Sequence, residues 1–416
     1  MSASFRFHRP RGPLCGRGYC FQCELPTAQG RELACQVSPG AVKPSPRRDP
    51  LRPLGALAGR FPPWFYESRM LRPAPLRGVS LHVLRYLSAA PPLSACPSRS
   101  ATPRVAVTTP AETARETAAR HELPYSEIHV DLAVVGSARC PPGGFLADLA
   151  HGSLAAGLYP DRTLGVVSEQ GLTAVRFEQI VISTGSYERL PPIAGNDLPG
   201  VLGLEAIEAY GAAGALRAGT PVAMWVPQDQ RIRAQACAER YGLSIVWMDE
   251  QAPDAITGRG RVRGVVTKAR QVSCELFVAA VRQPAIELAL TGGATAELSS
   301  DGLPILAVTS TPEWMRVVGS AAARTSGVPD VPAADSAFAC LCEDVRIGDL
   351  KDCVAQGFAD PELIKRRTGA MTGPCQGKLC SAQVLTALRE LGCDSSPIRA
   401  RPLARPVSLA ELAAGA

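Results

Sequence analysis

Residues 177–185, FEQIVISTG, read as an apolar strand that ends on a glycine. They decide the fold class, because strands of the same kind recur on both sides with helical stretches between them. Upstream, RVAVTT (104–109) and IHVDLAVVG (128–136) read as strands, and PAETARETAARH (110–121) as a helix with proline at its start. Downstream, PVAMWV (221–226), RIRAQACAERYG (231–242) and LSIVWMDE (243–250) read as strand, helix and strand. VRGVVTKARQVSCELFVAAV (262–281) reads as paired strands, and WMRVVGSAAA (314–323) closes the set. The β–α–β rhythm predicts an α/β chain with two nested, doubly wound, dinucleotide-binding-like domains. The first takes residues 104–217 and 300–333; the second is an insert at 218–299.

Outside this body lie two cysteine clusters, and fourteen cysteines in 416 residues is a high count. The start of the chain carries no 7–15-residue apolar stretch of the kind a secretory leader needs, so the expected compartment is the cytoplasm. Clustered cysteines there point to metal rather than to disulfides. The first set is Cys15-x4-Cys20-x2-Cys23-x11-Cys35. Its spacing matches the plant-type 2Fe–2S loop. Three thiolates come from one tight loop and the fourth from beyond it, and Gly16 and Gly18 are expected to let backbone N–H groups approach the cluster sulfides. Only 14 residues precede Cys15, so residues 1–45 read as a ferredoxin-like segment that is short at its N-terminal side. The second set is Cys340-x-Cys342-x32-Cys375-x4-Cys380. Two close pairs make a four-thiolate site that suits zinc or 2Fe–2S by spacing alone. Between the pairs, two short helices are expected with Leu350, Val354, Leu363 and Ile364 as apolar positions, inside a C-terminal domain at 335–395. Cys96, Cys140, Cys237, Cys274, Cys353 and Cys393 show no pairing and read as small buried hydrophobes.

Composition bounds the rest. The chain is 46% hydrophobic and 20% charged, which excludes a mostly disordered protein. It has no apolar run long enough for a membrane-spanning helix, so a membrane is reached only through a complex. Residues 1–104 hold 16 Lys/Arg against 4 Asp/Glu, and the remainder 28 against 34. We read the basic arm as docking on an acidic protein surface, with no nucleic-acid partner expected. Residues 46–103 read as a Pro/Arg-rich linker and 396–416 as a tail.

Five segments together resemble the iron–sulfur/flavin alpha subunit of multi-subunit amine and imino-acid dehydrogenases, the group of sarcosine oxidase alpha, hydrogen cyanide synthase and the opine and hydroxyproline dehydrogenases. They are RPRGPLCGRGYCFQC (9–23), PPWFYESRMLRP (62–73), PPGGFLADL (141–149), FEQIVISTGSYERLPPIAGNDLPGVLGLEAIEAY (177–210) and CLCEDVRIGDL with RRTGAMTGPCQGKLC (340–350, 366–380). The last resembles the bacterioferritin-associated-ferredoxin type of 2Fe–2S domain. The resemblance implies two 2Fe–2S centres, on Cys15, Cys20, Cys23 and Cys35 and on Cys340, Cys342, Cys375 and Cys380. It also implies a partner subunit of the amino-acid-oxidase type that carries FAD, and an acceptor that is a quinone or a soluble carrier.

The departures from that family matter as much. Its flavin domain needs G-x-G-x-x-G after the first strand; here stand Thr108-Thr109-Pro110-Ala111-Glu112-Thr113. The second strand ends in Val135-Gly136-Ser137 rather than in an acid, Gly319-Ser320 replaces Gly-Asp, and Val226-Pro227-Gln228-Asp229-Gln230 replaces the second glycine loop. FAD and NAD are therefore expected to be absent or weak in the isolated chain, with Gly143, Gly144, Thr184 and Gly185 as the residual flavin-domain positions and no catalytic residue. The resulting expectation is an electron-transfer subunit. Two alternatives stand beside it: an FAD-binding oxidoreductase with an altered pocket, and a non-catalytic iron–sulfur scaffold or sensor.

Overall fold

The long strand Gly171–Ser183 organises the first half of the protein. In this computed structural model the described residues are 14–27, 30–33, 35, 105–108, 126–136, 147–148, 154–168, 171–259, 261–400 and 404. Its first half pairs antiparallel with Thr163–Ser168, which pairs in turn with Leu154–Tyr159. Its second half pairs in parallel with Met315–Val317. Ser126–Gly136 runs parallel along its whole other side, from Ser126 opposite Thr173 to Gly136 opposite Ser183. The buried residues keep a two-residue period within each half, Val175 and Phe177, then Ile180 and Ile182. The phase slips once at the exposed Glu178 and Gln179, where the strand passes from one set of neighbours to the other.

One expectation is corrected here. Val105–Thr108 pairs antiparallel with Ser126–Gly136, Val105 opposite Val135 and Thr108 opposite Leu132. A β–α–β crossover joins parallel strands, so these two are not the first and second strands of a doubly wound domain. A strand of four residues, Val-Ala-Val-Thr, carries no mark of its direction relative to a neighbour, so its pattern does not tell parallel from antiparallel. The consequence is positional. Thr108 lies toward the middle of its neighbour, while Ser183-Thr184-Gly185 leave from the end that carries Gly136. Thr108 and Ser183 therefore stand at different heights along Ser126–Gly136, Thr108 opposite Leu132 and Ser183 opposite Gly136. The expected helix at 110–121 and the positions Pro110, Glu112, Gly143 and Gly144 lie outside the described residues.

A second sheet has four parallel strands in the order Val201–Leu202, Leu276–Ala279, Pro221–Trp225, Ser244–Asp249. Val222, Ala223, Met224 and Trp225 are buried on both faces, as expected of a parallel strand. Helix α1 (Leu204–Ala212) and helix α2 (Arg231–Arg240) cover the Val222/Met224 face through Leu204, Ala206, Ile207, Ala234 and Cys237. An antiparallel trio, Ala255–Gly258, Val262–Val266 and Gln271–Ser273, forms a separate sheet whose middle strand contacts Leu276–Ala279. The short helix α3 is Glu287–Thr291.

The C-terminal part is a hairpin, Phe338–Cys340 with Val345–Arg346, followed by helices α4 (Ile347–Ala355), α5 (Pro361–Thr368) and α6 (Ser381–Glu390). The Asp360 side chain caps α5 by accepting from the N–H groups of Glu362 and Leu363, both at 2.9 Å. Leu350 and Ile364 are fully buried, whereas Leu363, expected on the apolar face, is 39% exposed. Among the described residues no helix is long and apolar enough to cross a membrane.

Two candidate four-cysteine sites

The N-terminal loop, Leu14 to Cys23, is docked on α1. Gly16 has φ +65°, and a Cβ there would stand 2.7 Å from the Ala209 Cβ and 2.9 Å from the Ala206 Cα. Glycine is required for the turn and for the close approach together. Gly16 thus also serves helix packing, a role the spacing of the cysteines did not indicate. The N–H of Gly203 donates to Leu14 O at 2.9 Å, and Arg17 reaches Glu205 at 3.2 Å. The Tyr19 hydroxyl accepts from Glu188 N at 2.9 Å and donates to Glu188 O at 3.3 Å.

This docking gathers the first cysteine set. Cys15 and Cys20 are buried at 0% and 1% exposure; Cys23 and Cys35 are half-buried. Cys15 hydrogen-bonds with Cys20 and Cys35, and Cys23 Sγ lies 3.4 Å from Cys35 Sγ. Arg17 N–H donates to Cys15 Sγ at 3.4 Å. Burial pushes the Cys15 thiol well up, with the Cys20 contact adding to it. The Tyr210 phenol of α1 faces the set: burial pushes it well up, and all four sulfurs add to the rise.

The second set is closed. Cys340, Cys342, Cys375 and Cys380 are each at most 2% exposed. Cys340 hydrogen-bonds with Cys342 and Cys380, and Cys375 with Cys342 and Cys380, so the four sulfurs form a ring. Cys342 and then Cys380 hold Cys340 and Cys375 well below the usual thiol range, with help from the backbone N–H groups of Met371 and Leu379. Their partners Cys342 and Cys380 are pushed up by the same contacts. Left-handed backbone at Asp344, Met371, Gln376 and Gly377 folds the two ligand turns onto one another. A Cβ on Gly373 would overlap Cys342 Cβ, so the turns meet with no spare space.

An all-sulfur donor set in a dry pocket fits a thiophilic metal or an iron–sulfur cluster, whose positive charge offsets that of four thiolates. Among the described residues no group of three or more His, Cys, Asp or Glu side chains surrounds the position of a single ion. Cys237, Cys274 and Cys353 are buried apart from both sets, and Cys96 and Cys140 lie outside the described residues.

The residues sequence reasoning did not single out lie between the two sets. Glu188 is 1% exposed; its Oε2 accepts from Glu205 N at 2.8 Å, and its Oε1 has no partner. Burial, then the charge of Glu205, raises its carboxyl to about 8. Arg17 and Arg282 both pair with Glu205, at 3.2 Å each. Arg189 is buried, donates to Pro304 O at 2.7 Å, and is lowered to about 10 by burial. Their only signal in the sequence was three chemically rich residues in a row, Tyr187-Glu188-Arg189.

Of the residual flavin-domain positions, Thr184 donates through Oγ1 to Ala285 O at 2.5 Å, and Gly185, at φ +81°, faces open space. Residues Val226 to Gln230 form a turn led by Pro227, and Gly327 packs beside it: a Cβ there would stand 3.6 Å from Pro227 Cβ.

Residues 334–416 match the sarcosine oxidase A3 domain family. An opine oxidase subunit from Rhizobium meliloti (strain 1021) is 36% identical over 85 residues, which are 19% of this chain and 18% of that one. The opine oxidase subunit of the same name from Agrobacterium tumefaciens (strain Ach5) is 33% identical over 87 residues, 20% and 17% of the two chains. The matched region thus spans under a fifth of these relatives. Through this segment the chain is similar to the sarcosine oxidase A3 domain and to these opine oxidase subunits. Among solved structures, L-proline dehydrogenase from P. horikoshii superposes with a TM-score of 0.51 at 18% identity, over 62% of this chain and 64% of that one. That likeness is one of fold.

Proposed function

We propose that the chain is the iron–sulfur electron-transfer subunit of a multi-subunit, flavin-dependent dehydrogenase or oxidase that acts on an amine, imino acid or amino-acid derivative. The observation that carries this reading is the assembly of both cysteine sets. Residues 20 and 40 apart in sequence are brought into sulfur–sulfur contact at two places, the first partly and the second fully buried.

Cys15, Cys20, Cys23 and Cys35 would hold one 2Fe–2S centre, and Cys340, Cys342, Cys375 and Cys380 the other. Such a centre supplies one-electron chemistry, which suits a relay that splits the electron pair taken from substrate by a flavin-bearing partner. The chain's own residues do the rest. Arg17 N–H, Met371 N–H and Leu379 N–H stabilise negative charge on sulfur. Helix α1 covers Cys15 and Cys20 of the first set, and the packed turns at Gly373 close the second. The nucleotide-like sheets serve as scaffold; the antiparallel pairing of Val105–Thr108 with Ser126–Gly136 supports this.

A second reading keeps one observation in its favour. Gly185 faces open space where a flavin would approach, so the chain would be an FAD-binding oxidoreductase with an altered pocket. One experiment separates them. Anaerobically purified chain should hold about four irons and no stoichiometric flavin. Cys375→Ser should remove one centre's spectrum and leave the other. Zinc in place of iron, or one FAD per chain, overturns the proposal. Alone the chain should oxidise no amine; with its flavin-bearing partner it should pass electrons to a quinone or a soluble carrier.

A further inference from the structure

From the first cysteine set a line of packed and hydrogen-bonded residues leads toward the second. Tyr19 belongs to the first loop, between Cys15 and Cys20, and is 6% exposed. Its hydroxyl is pinned at both ends of one residue, Glu188 N and Glu188 O. Its ring lies against Tyr187 with centroids 4.8 Å apart and planes at 55°, a tilted contact of the favourable kind. Tyr187 sits on the strand Ser186–Glu188, held by Arg282–Pro284. Its hydroxyl hydrogen-bonds the Glu287 carboxyl of α3, and the charge of the Cys375 sulfur also acts on it. Glu287 in turn feels Lys378 and Cys375. The Gln383 side chain of α6 donates to Leu190 O at 2.5 Å, and Asn196 pairs with both backbone groups of Phe338, so the C-terminal domain is fixed to the same segment.

We propose that Tyr187, stacked on Tyr19, is a positioning residue that bridges the two four-cysteine sites and sets the rate of electron exchange between them. The inference rests on the iron–sulfur reading above. In the exchange one electron leaves the reduced centre and enters the oxidised one. No bond forms or breaks, no proton moves, and neither phenol is oxidised or reduced. The rings act as close-packed matter where a gap would otherwise interrupt the path. In the complex the electron comes from the flavin of the partner; in the test it comes from a photoreduced dye.

The test uses the full chain with both centres in place. A flash delivers less than one electron per chain, and its redistribution between the centres is followed by their separate electron paramagnetic signals. Tyr187→Phe keeps the ring and should exchange at the wild-type rate. Tyr187→Leu removes the ring and should slow the exchange by about tenfold or more, because it opens a void in the packed path. Iron content and both spectra should be unchanged in each variant, an outcome that a purely structural role would not combine with a slowed rate. Exchange at the wild-type rate in Tyr187→Leu overturns the inference, as does an equal slowing in Tyr187→Phe and Tyr187→Leu. A wild-type chain with fewer than two iron–sulfur centres overturns the reading of the sites and this inference with it. Two intact centres with an unchanged rate overturn this inference alone.

Discussion

Substituting Gly16 by alanine should undock the N-terminal loop while leaving the rest of the molecule folded. At φ +65° an alanine costs about 1–2 kcal/mol relative to glycine. The new Cβ also drives into Ala209 and Ala206 of α1, and an overpacked contact of that kind costs about 1–3 kcal/mol. The sum, about 2–5 kcal/mol, opposes the bonds that hold the loop down. Three of these are hydrogen bonds, Gly203 to Leu14 and the two between Tyr19 and Glu188. At about 0.5–1.5 kcal/mol each they give about 1.5–4.5 kcal/mol. Loss and anchorage are comparable, so an undocked population should appear. The assay is brief alkylation of the native protein followed by peptide mass analysis. Labelling of Cys15 and Cys20 should rise at least about tenfold, the change expected from about 1.4 kcal/mol. Labelling of Cys340, Cys342, Cys375 and Cys380 should stay low. Gly219→Ala is the control: φ is +76° and nothing lies within 4 Å, so it carries the backbone cost without the clash. Cys15 staying protected in Gly16→Ala, or Gly219→Ala exposing it equally, would refute the packing argument.

Glu188→Gln should flatten the pH dependence of stability. The folded chain keeps a proton on Glu188 up to about 8 that the unfolded chain releases near 4.5, so this group's contribution is full below 4.5 and lost as pH rises to 8. The unfolding free energy from urea melts should fall between pH 5 and 8 in the wild type, by up to ~1.4 kcal/mol per pH unit, and fall less in the variant; parallel slopes would sink the assignment. Asn196→Ala strips partners from Pro191 O, Phe338 O and Phe338 N, all buried. It should destabilise the protein by about 2–4 kcal/mol, read from denaturant unfolding, and a loss under about 0.5 kcal/mol would contradict it. Gly373→Ala places a Cβ onto Cys342 and should abolish metal uptake at the second set alone, read as a halving of bound iron. Full iron content would show that the turns meet more loosely than described.

Much of this was legible in the sequence, and for local reasons. Cysteine spacing is set by the few residues of each turn, so the second set could be read directly from two short motifs. The strand at 177–185 and its partner at 128–136 announce themselves by apolar content. Direction is another matter. The Val105–Thr108 strand is four alternating residues, and its antiparallel pairing is decided by neighbours far along the chain. Leu363 has the composition of a core residue, but the α5 surface that buries Ile364 turns it outward. The Tyr19–Tyr187 contact and the pairing of Arg17 with Glu205 join residues more than 160 positions apart. No local pattern encodes such contacts.

That separation has a bearing on how the chain is made. Tyr19 and its anchor Glu188 are 169 positions apart. At about 5–20 residues per second, a ribosome needs on the order of 10–30 s to add the segment between them. Through that interval α1 is unbuilt, and Cys15, Cys20, Cys23 and Cys35 have no surface to close upon. The four thiols emerge early and wait. Any factor that reaches them in that interval therefore meets an open, oxidisable loop on a nascent chain, whereas Cys340, Cys342, Cys375 and Cys380 are close together in sequence and can meet soon after they are made.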